Sequence, residues 1–151
     1  MAASLTPEFL FSLANTAVLP AWLLLAVVPR WVVTRKVVRS GALPLLLAAG
    51  YAALLLVHYL GPHATEGGFN SLGDVAALFR DPWALTAGWV HYLCFDLLVG
   101  IWEVRDAERR GLPRILLLPA LLLTFLVGPF GLLLYAGLRQ LRPAPAVPVT
   151  A

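Results

Sequence analysis

Four long apolar stretches, separated by polar connectors, set the rhythm of the chain. A bilayer crossing takes about 20 mostly apolar residues, so the pattern predicts spans over 8–28, 41–60, 84–105 and 115–138. The connector 29–40, PRWVVTRKVVRS, is too charged to be buried. Inside lipid a segment must satisfy its own backbone polar groups, which makes these spans helices. The expected fold is all-α: an integral membrane four-helix bundle forming a single transmembrane domain over 1–142, followed by a Pro-rich tail, 143–151, expected to be disordered. The first span has no basic n-region and carries Glu8, so it reads as a retained helix and not as a signal peptide.

Two departures from simple alternation stand out. In the connector 61–83, GPHATEGGF is Gly-rich, but SLGDVAALF predicts a short helix with Ser71 as N-cap and Asp74 three residues on. Its Leu72, Val75, Ala76 and Phe79 form an apolar face suited to the membrane surface. This short interfacial helix between the second and third spans is read either as a lid or as an ordinary surface helix. In the fourth span, TFLVGPFGLLLY sets Pro129 between Gly128 and Gly131, which predicts a kink.

Composition confirms the class. Hydrophobic residues make up 60% of the 151 and charged residues 13%, against roughly 25% charged in an ordinary soluble domain. Cytoplasmic loops carry the excess of Lys and Arg. Arg30, Arg35, Lys36 and Arg39 lie in one connector, and Arg105, Arg109, Arg110 and Arg114 in or beside another. With four crossings, both termini are expected on the non-cytoplasmic side. The net charge of +3 comes from these juxtamembrane groups, which attract anionic headgroups and imply no nucleic-acid partner. The single Cys94 allows no internal disulfide.

Polar residues inside the spans carry the candidate chemistry. Helical spacing puts Trp89, Tyr92, Asp96, Gly100 and Glu103 on one stripe of the third span. Comparable faces run through Glu8, Ser12, Asn15 and Trp22, through Pro44, Tyr51 and His58, and through Thr124, Gly128, Gly131 and Tyr135. Counting along alternating helices places Asn15, Tyr51, Asp96 and Thr124 near mid-membrane, with His58, His91, Trp89 and Tyr135 nearer the non-cytoplasmic side and Glu103 at the cytoplasmic edge within reach of water.

Asp96 needs most explanation, because an aspartate at a helix centre costs about 2.5–3.5 kcal/mol on insertion scales. It is expected to be uncharged and hydrogen-bonded to Asn15, Tyr51 or Thr124, or else paired with a charged histidine or a metal. Ideal geometry sets His91 about 140° around the helix from Asp96, so His58 on a neighbouring helix is the more natural approach to either. Three readings stand side by side: interhelical hydrogen bonding, a metal held by His58, His91 and Asp96 with His63 or Glu66, and acid/base catalysis by Asp96, His91 and His58. Beyond the catalytic three, Asn15, Tyr51, Trp89, Tyr92, Phe95 and Thr124 are the candidate substrate contacts.

FSLANTAVLPAWLLLAVVPRW, FNSLGDVAALFRDPWALTAGWVHYLCFDLLVGIWEVRDA and LPALLLTFLVGPFGLLLY, in this order, resemble the abscisic-acid-deficient-4-like family of small membrane proteins, over about residues 8 to 138. In plants that family is tied to xanthophyll metabolism, in the formation of neoxanthin from violaxanthin. The resemblance therefore implies a role in carotenoid biosynthesis, and its motifs carry over Asn15, Trp89, His91, Tyr92, Phe95 and Asp96. A carotenoid is a rigid apolar rod that matches the hydrocarbon thickness, roughly 30 Å. The reading is a non-redox carotenoid isomerase, acting on an epoxide or a cis/trans bond with no cofactor. The alternative is a non-catalytic carotenoid- or lipid-binding protein or a scaffold for a carotenoid enzyme. The first span begins within ten residues of Met1, so a bacterial inner-membrane protein is expected. Gly128 and Gly131 serve either internal packing or a homo-oligomer contact.

Overall fold

The structure is a computed structural model that describes residues 5–60 and 67–142. His63, Glu66 and the tail 143–151 lie outside them. Every regular element among the described residues is helical: α1 Pro7–Val27, α2 Ala42–Leu60, α3 Leu72–Leu78, α4 Pro82–Arg110, α5 Arg114–Val127 and α6 Pro129–Leu138, with a π-helical turn at Thr34–Val38 and a 3-10 turn at Arg139–Leu141. Three helical stretches, Pro7–Val27, Thr34–Leu60 and Pro82–Arg110, are long and apolar enough to cross a membrane.

The helix starts follow from local chemistry. Thr6 Oγ1 accepts the Phe9 N–H at 3.2 Å just ahead of α1, Ser71 accepts the Asp74 N–H at 3.1 Å as the cap of α3, and Asp81 Oδ1 accepts the Ala84 N–H at 2.9 Å ahead of α4. Each satisfies an N–H that the first helical turn leaves without a partner. Pro7 and Pro82 open α1 and α4, where a missing N–H costs nothing. With 29 residues, α4 is about 44 Å long and outreaches the hydrocarbon.

The chain divides into two compact units, residues 1–20 with 42–95 and residues 21–41 with 96–151. The first has a core of Ala14, Val18, Leu47, Leu54, Leu78, Ala87, Val90 and Leu93, with His58 and Thr86 buried among apolar groups. The second buries Trp22, Leu25, Leu97, Ile101, Val104, Leu117, Leu121 and Tyr135, together with the polar Thr34, Glu103, Asp106 and Thr124. Many leucines on the helices face outward, among them Leu45, Leu46, Leu60 and Leu133, as lipid-facing positions should.

The second unit corrects the expected fourth span. Residues 115–138 do not form one crossing helix. The chain stops at Gly128, whose φ of 39° and ψ of −90° are open to glycine and costly for residues with a Cβ. Its N–H closes α5 on Thr124 O, and Pro129 starts α6. The two helices fold back on each other. A Cβ on Gly131 would stand 2.1 Å from the backbone N of Thr124, whereas seven residues along a continuous helix are separated by about 10 Å. The contacts of α6 with α4 run the same way: Tyr135 reaches Asp106 at 2.9 Å, and Arg110 Nη1 donates to Arg142 O at 3.2 Å. With 14 residues, α5 spans about 21 Å, less than the hydrocarbon thickness. The segment is thus a helical hairpin that returns to the end where it began, and it replaces the fourth member of the expected bundle.

The orientation expected for the C-terminal end changes with it. Arg139 and Arg142 join Arg30, Arg35, Lys36, Arg39, Arg105, Arg109, Arg110 and Arg114 at the basic end of the second unit, in place of the opposite, non-cytoplasmic side. Ten of the 11 basic residues therefore collect there, which satisfies the positive-inside rule better than four crossings do.

Candidate functional site

In the first unit, α2, α3 and α4 enclose a cavity of about 220 Å³ lined by Tyr51, His58, Tyr59, Phe79, Gly88 and His91, among others. His58, expected to approach either His91 or Asp96, lines this cavity together with His91. His58 is buried and His91 exposed. The His91 ring centroid lies 5.4 Å from that of Tyr51 and 4.6 Å from that of Phe95. His58 Nδ1 lies 3.4 Å from Asp81 Oδ1, within charge-pairing distance but without the geometry of a hydrogen bond. Asp81 itself is fixed by capping α4. Phe79 lines the cavity, and its ring packs so tightly on Gly88 that a Cβ there would come within 2.8 Å of it. α3 therefore contributes Leu78 and Phe79 to the wall.

Asn15, Trp89 and Tyr92 form a neighbouring group in the same unit. Trp89 Nε1 donates to Asn15 Oδ1 at 3.2 Å, and Asn15 Nδ2 donates to Phe11 O at 2.9 Å. Trp89 stacks on Tyr92 with centroids 5.3 Å apart. Phe95 is exposed. Beside them runs an apolar groove of about 450 Å³ whose α2 wall is Leu43, Leu46, Leu47, Gly50, Ala53, Leu54 and Val57. Those positions follow α2 for about 21 Å, and Ala14 and Ala17 of α1 line the groove opposite.

Asp96 belongs to the second unit. It is half-buried and lies against the hairpin turn, where a Cβ on Gly128 would be 2.9 Å from its Oδ1. Within the same unit Thr124, one of its expected partners, gives its hydroxyl to Glu103. Thr124 Oγ1 donates to Glu103 Oε1 at 2.9 Å, and both residues have no exposed surface. This corrects the expected water access of Glu103: the returning hairpin covers the helix edge that a simple depth count left open. One turn on, Asp106 Oδ2 accepts from Tyr135 at 2.9 Å, Arg110 at 2.7 Å and Arg139 at 3.1 Å. Arg139 also lies over the Trp102 ring at 5.2 Å.

Tyr135 was expected in the non-cytoplasmic layer with the histidines; the hairpin carries it to the arginine-rich end instead. Asp81, Glu103 and Asp106 were not among the expected site residues. Asp81 was legible as a helix cap in R-D-P-W, and Asp106 as the i, i+4 partner of Arg110. Nothing in the sequence marked Glu103 as the partner of Thr124. Among the described residues no three His, Cys, Asp or Glu side chains converge as a metal site would require, and the loop candidates His63 and Glu66 lie outside those residues.

The model of the ABA DEFICIENT 4-like family matches residues 9–135. Protein ABA DEFICIENT 4, chloroplastic, of Arabidopsis thaliana is 30% identical over 93 residues, 58% of this chain and 42% of that protein. The match therefore spans less than half of the relative's length, and the relative's chloroplast location lends no support to a bacterial inner-membrane placement. No solved structure matches. With the family match running from α1 into α6, the chain belongs to the ABA DEFICIENT 4-like family.

Proposed function

We propose that this protein handles a carotenoid inside the membrane as an isomerase that rearranges it without net redox change. The observation that carries the reading is the buried His58, set 3.4 Å from Asp81 in the wall of a cavity shared with His91 and Tyr51. A carboxylate beside an imidazole fixes its orientation and offers a place for its proton to pass. Such a pair suits proton donation, and a second imidazole across the cavity suits proton removal.

The apolar groove along α2 supports the substrate class. It follows the helix for about 21 Å, is floored by small residues and is lined only by apolar groups and Trp83, as a straight polyene would need. In this reading the groove holds the rod and the histidine cavity receives a ring or polyene terminus. Protonation of an epoxide oxygen breaks its C–O bond, the polyene spreads the positive charge, and loss of one carbon-bound proton to the second histidine leaves the composition unchanged. α3 lies at the membrane surface as the cover of the cavity. Asp96, in the other unit, is retained as a second acid.

The test is expression in a carotenoid-producing bacterium, with pigment isomers resolved by chromatography. Wild type should generate an isomer absent from the host. His58→Gln and Asp81→Asn should abolish it, while Asp96→Asn measures the contribution of the second acid. Pigment that co-purifies unchanged, with no new isomer, would replace the catalytic reading with the binding one, which the chemically inert groove favours.

A further inference from the structure

A second cavity lies at the basic end of the second unit. The connector after α1 folds against the end of α4 and the turn into α5, fixed by three arginines. Arg39 Nη2 donates to Glu108 Oε2 at 2.7 Å, Arg30 Nε lies 3.5 Å from Glu108 Oε1, and Arg114 donates to the last carbonyls of α1, Ala26 O and, at 2.9 Å, Val27 O. The space they enclose is about 810 Å³, within the usual range for a small-molecule site. Its lining is apolar, including Val28, Trp31, Leu112 and Leu117, and its charged groups are Arg30, Arg114 and Glu108.

We propose that this cavity binds one anionic glycerophospholipid, with the phosphate between Arg30 and Arg114 and an acyl chain along Val28, Trp31, Leu112 and Leu117. Charge complementarity selects this occupant. Glu108 is the one carboxylate in the lining, and Arg39 neutralises it at 2.7 Å, so the arginines at the mouth are in excess. The Arg30 side chain is 83% exposed and turns readily to an anion. Arg114 is held by carbonyls, and a guanidinium carries five N–H donors, which leaves donors to spare. A neutral carotenoid offers nothing to these cations, and a free anion gains nothing from the apolar wall. Trp31, half-exposed, is the kind of residue that settles at headgroup level. The inference is independent of the carotenoid reading, since its cavity and residues lie in the other unit.

The test uses delipidated full-length protein, incubated in detergent with equal phosphatidylglycerol and phosphatidylcholine, with retained lipid counted by native mass spectrometry. Wild type should retain about one phosphatidylglycerol in clear preference to phosphatidylcholine. Arg30→Gln should reduce that preference about fivefold, the effect of one basic group near a headgroup. Arg35→Gln, which removes the same charge from the same connector outside the cavity, should leave it intact. Val28→Trp, which fills the cavity from its rim, should abolish retention while circular dichroism stays unchanged. Excess inorganic phosphate should not displace the lipid. Equal retention of both lipids, equal damage from Arg35→Gln, undiminished retention in folded Val28→Trp, or displacement by phosphate would each overturn the assignment.

Discussion

The Thr124–Glu103 pair gives the sharpest test of the hairpin. Thr124→Val keeps the volume and shape of the side chain and removes one O–H donor. Glu103 has no exposed surface, its Oε1 accepts the Thr124 hydroxyl at 2.9 Å, and its Oε2 has no hydrogen-bond partner among the described residues. The substitution therefore strands the carboxyl group in an apolar interior. Side-chain hydrogen bonds between membrane helices average about 0.6 kcal/mol and reach about 1.7, whereas leaving a buried polar group unsatisfied costs about 1–3 kcal/mol. Full burial and the unpartnered second oxygen put this site above the bottom of that range, at about 2 kcal/mol. Removing both partners should cost far less than the single change implies, because an apolar pair of similar shape has nothing left to satisfy.

The measurement is a double-mutant cycle of Thr124→Val, Glu103→Leu and the double variant, unfolded in mixed detergent micelles and followed by tryptophan fluorescence. A coupling of about 1 kcal/mol or more is expected between groups in direct contact. Additivity within about 0.3 kcal/mol would mean that Glu103 finds water or another partner, and that the hairpin does not seal this edge of α4.

Other consequences follow from the same geometry. Gly131→Ala would put a Cβ 2.1 Å from the backbone of Thr124 and should cost at least about 3 kcal/mol, since backbone does not give way, whereas Gly137→Ala meets nothing within 4 Å and should stabilise α6 by up to about 1 kcal/mol; equal effects in thermal unfolding would argue against the hairpin. In a Cys94→Ser background, cysteines placed at Arg109 and at Gln140 should react with an impermeant maleimide from the same side of sealed vesicles, and labelling from opposite sides would restore a fourth crossing. Asp106→Asn weakens contacts with Tyr135, Arg110 and Arg139 at once and should cost about 2 kcal/mol, against under about 1 kcal/mol for the partly exposed Arg139→Gln; the reverse order in the same assay would place the centre of that network elsewhere.

The failure of the fourth span has a physical cause. Apolar length says how much chain can lie in lipid, and it carries no direction: 115–138 buries equally well as one crossing or as two shorter helices folded together. The direction is written in residues that a hydropathy count passes over. Gly128 offers the positive φ that stops α5, Pro129 is suited to the first position of a new helix, and Gly131 has no Cβ to hold the returning backbone off Thr124. The arginines carried the same information. Four crossings would strand Arg139 and Arg142 on the side opposite the other juxtamembrane arginines, a conflict with the positive-inside tendency that a hairpin removes. The histidines fared differently. His58 was legible because helix periodicity sets it on one face of α2 with Pro44 and Tyr51, whereas His91 falls off the Asp96 stripe and is exposed, and Asp81, whose backbone precedes α4, could be read only as a cap. Its second role depends on how α2 packs beside the start of α4, which is tertiary and leaves no mark in local spacing. Glu103 shows the same limit from the other side. Depth along a helix predicts contact with water only where nothing folds back over the helix end, so the error in the span and the error in the acid are one error.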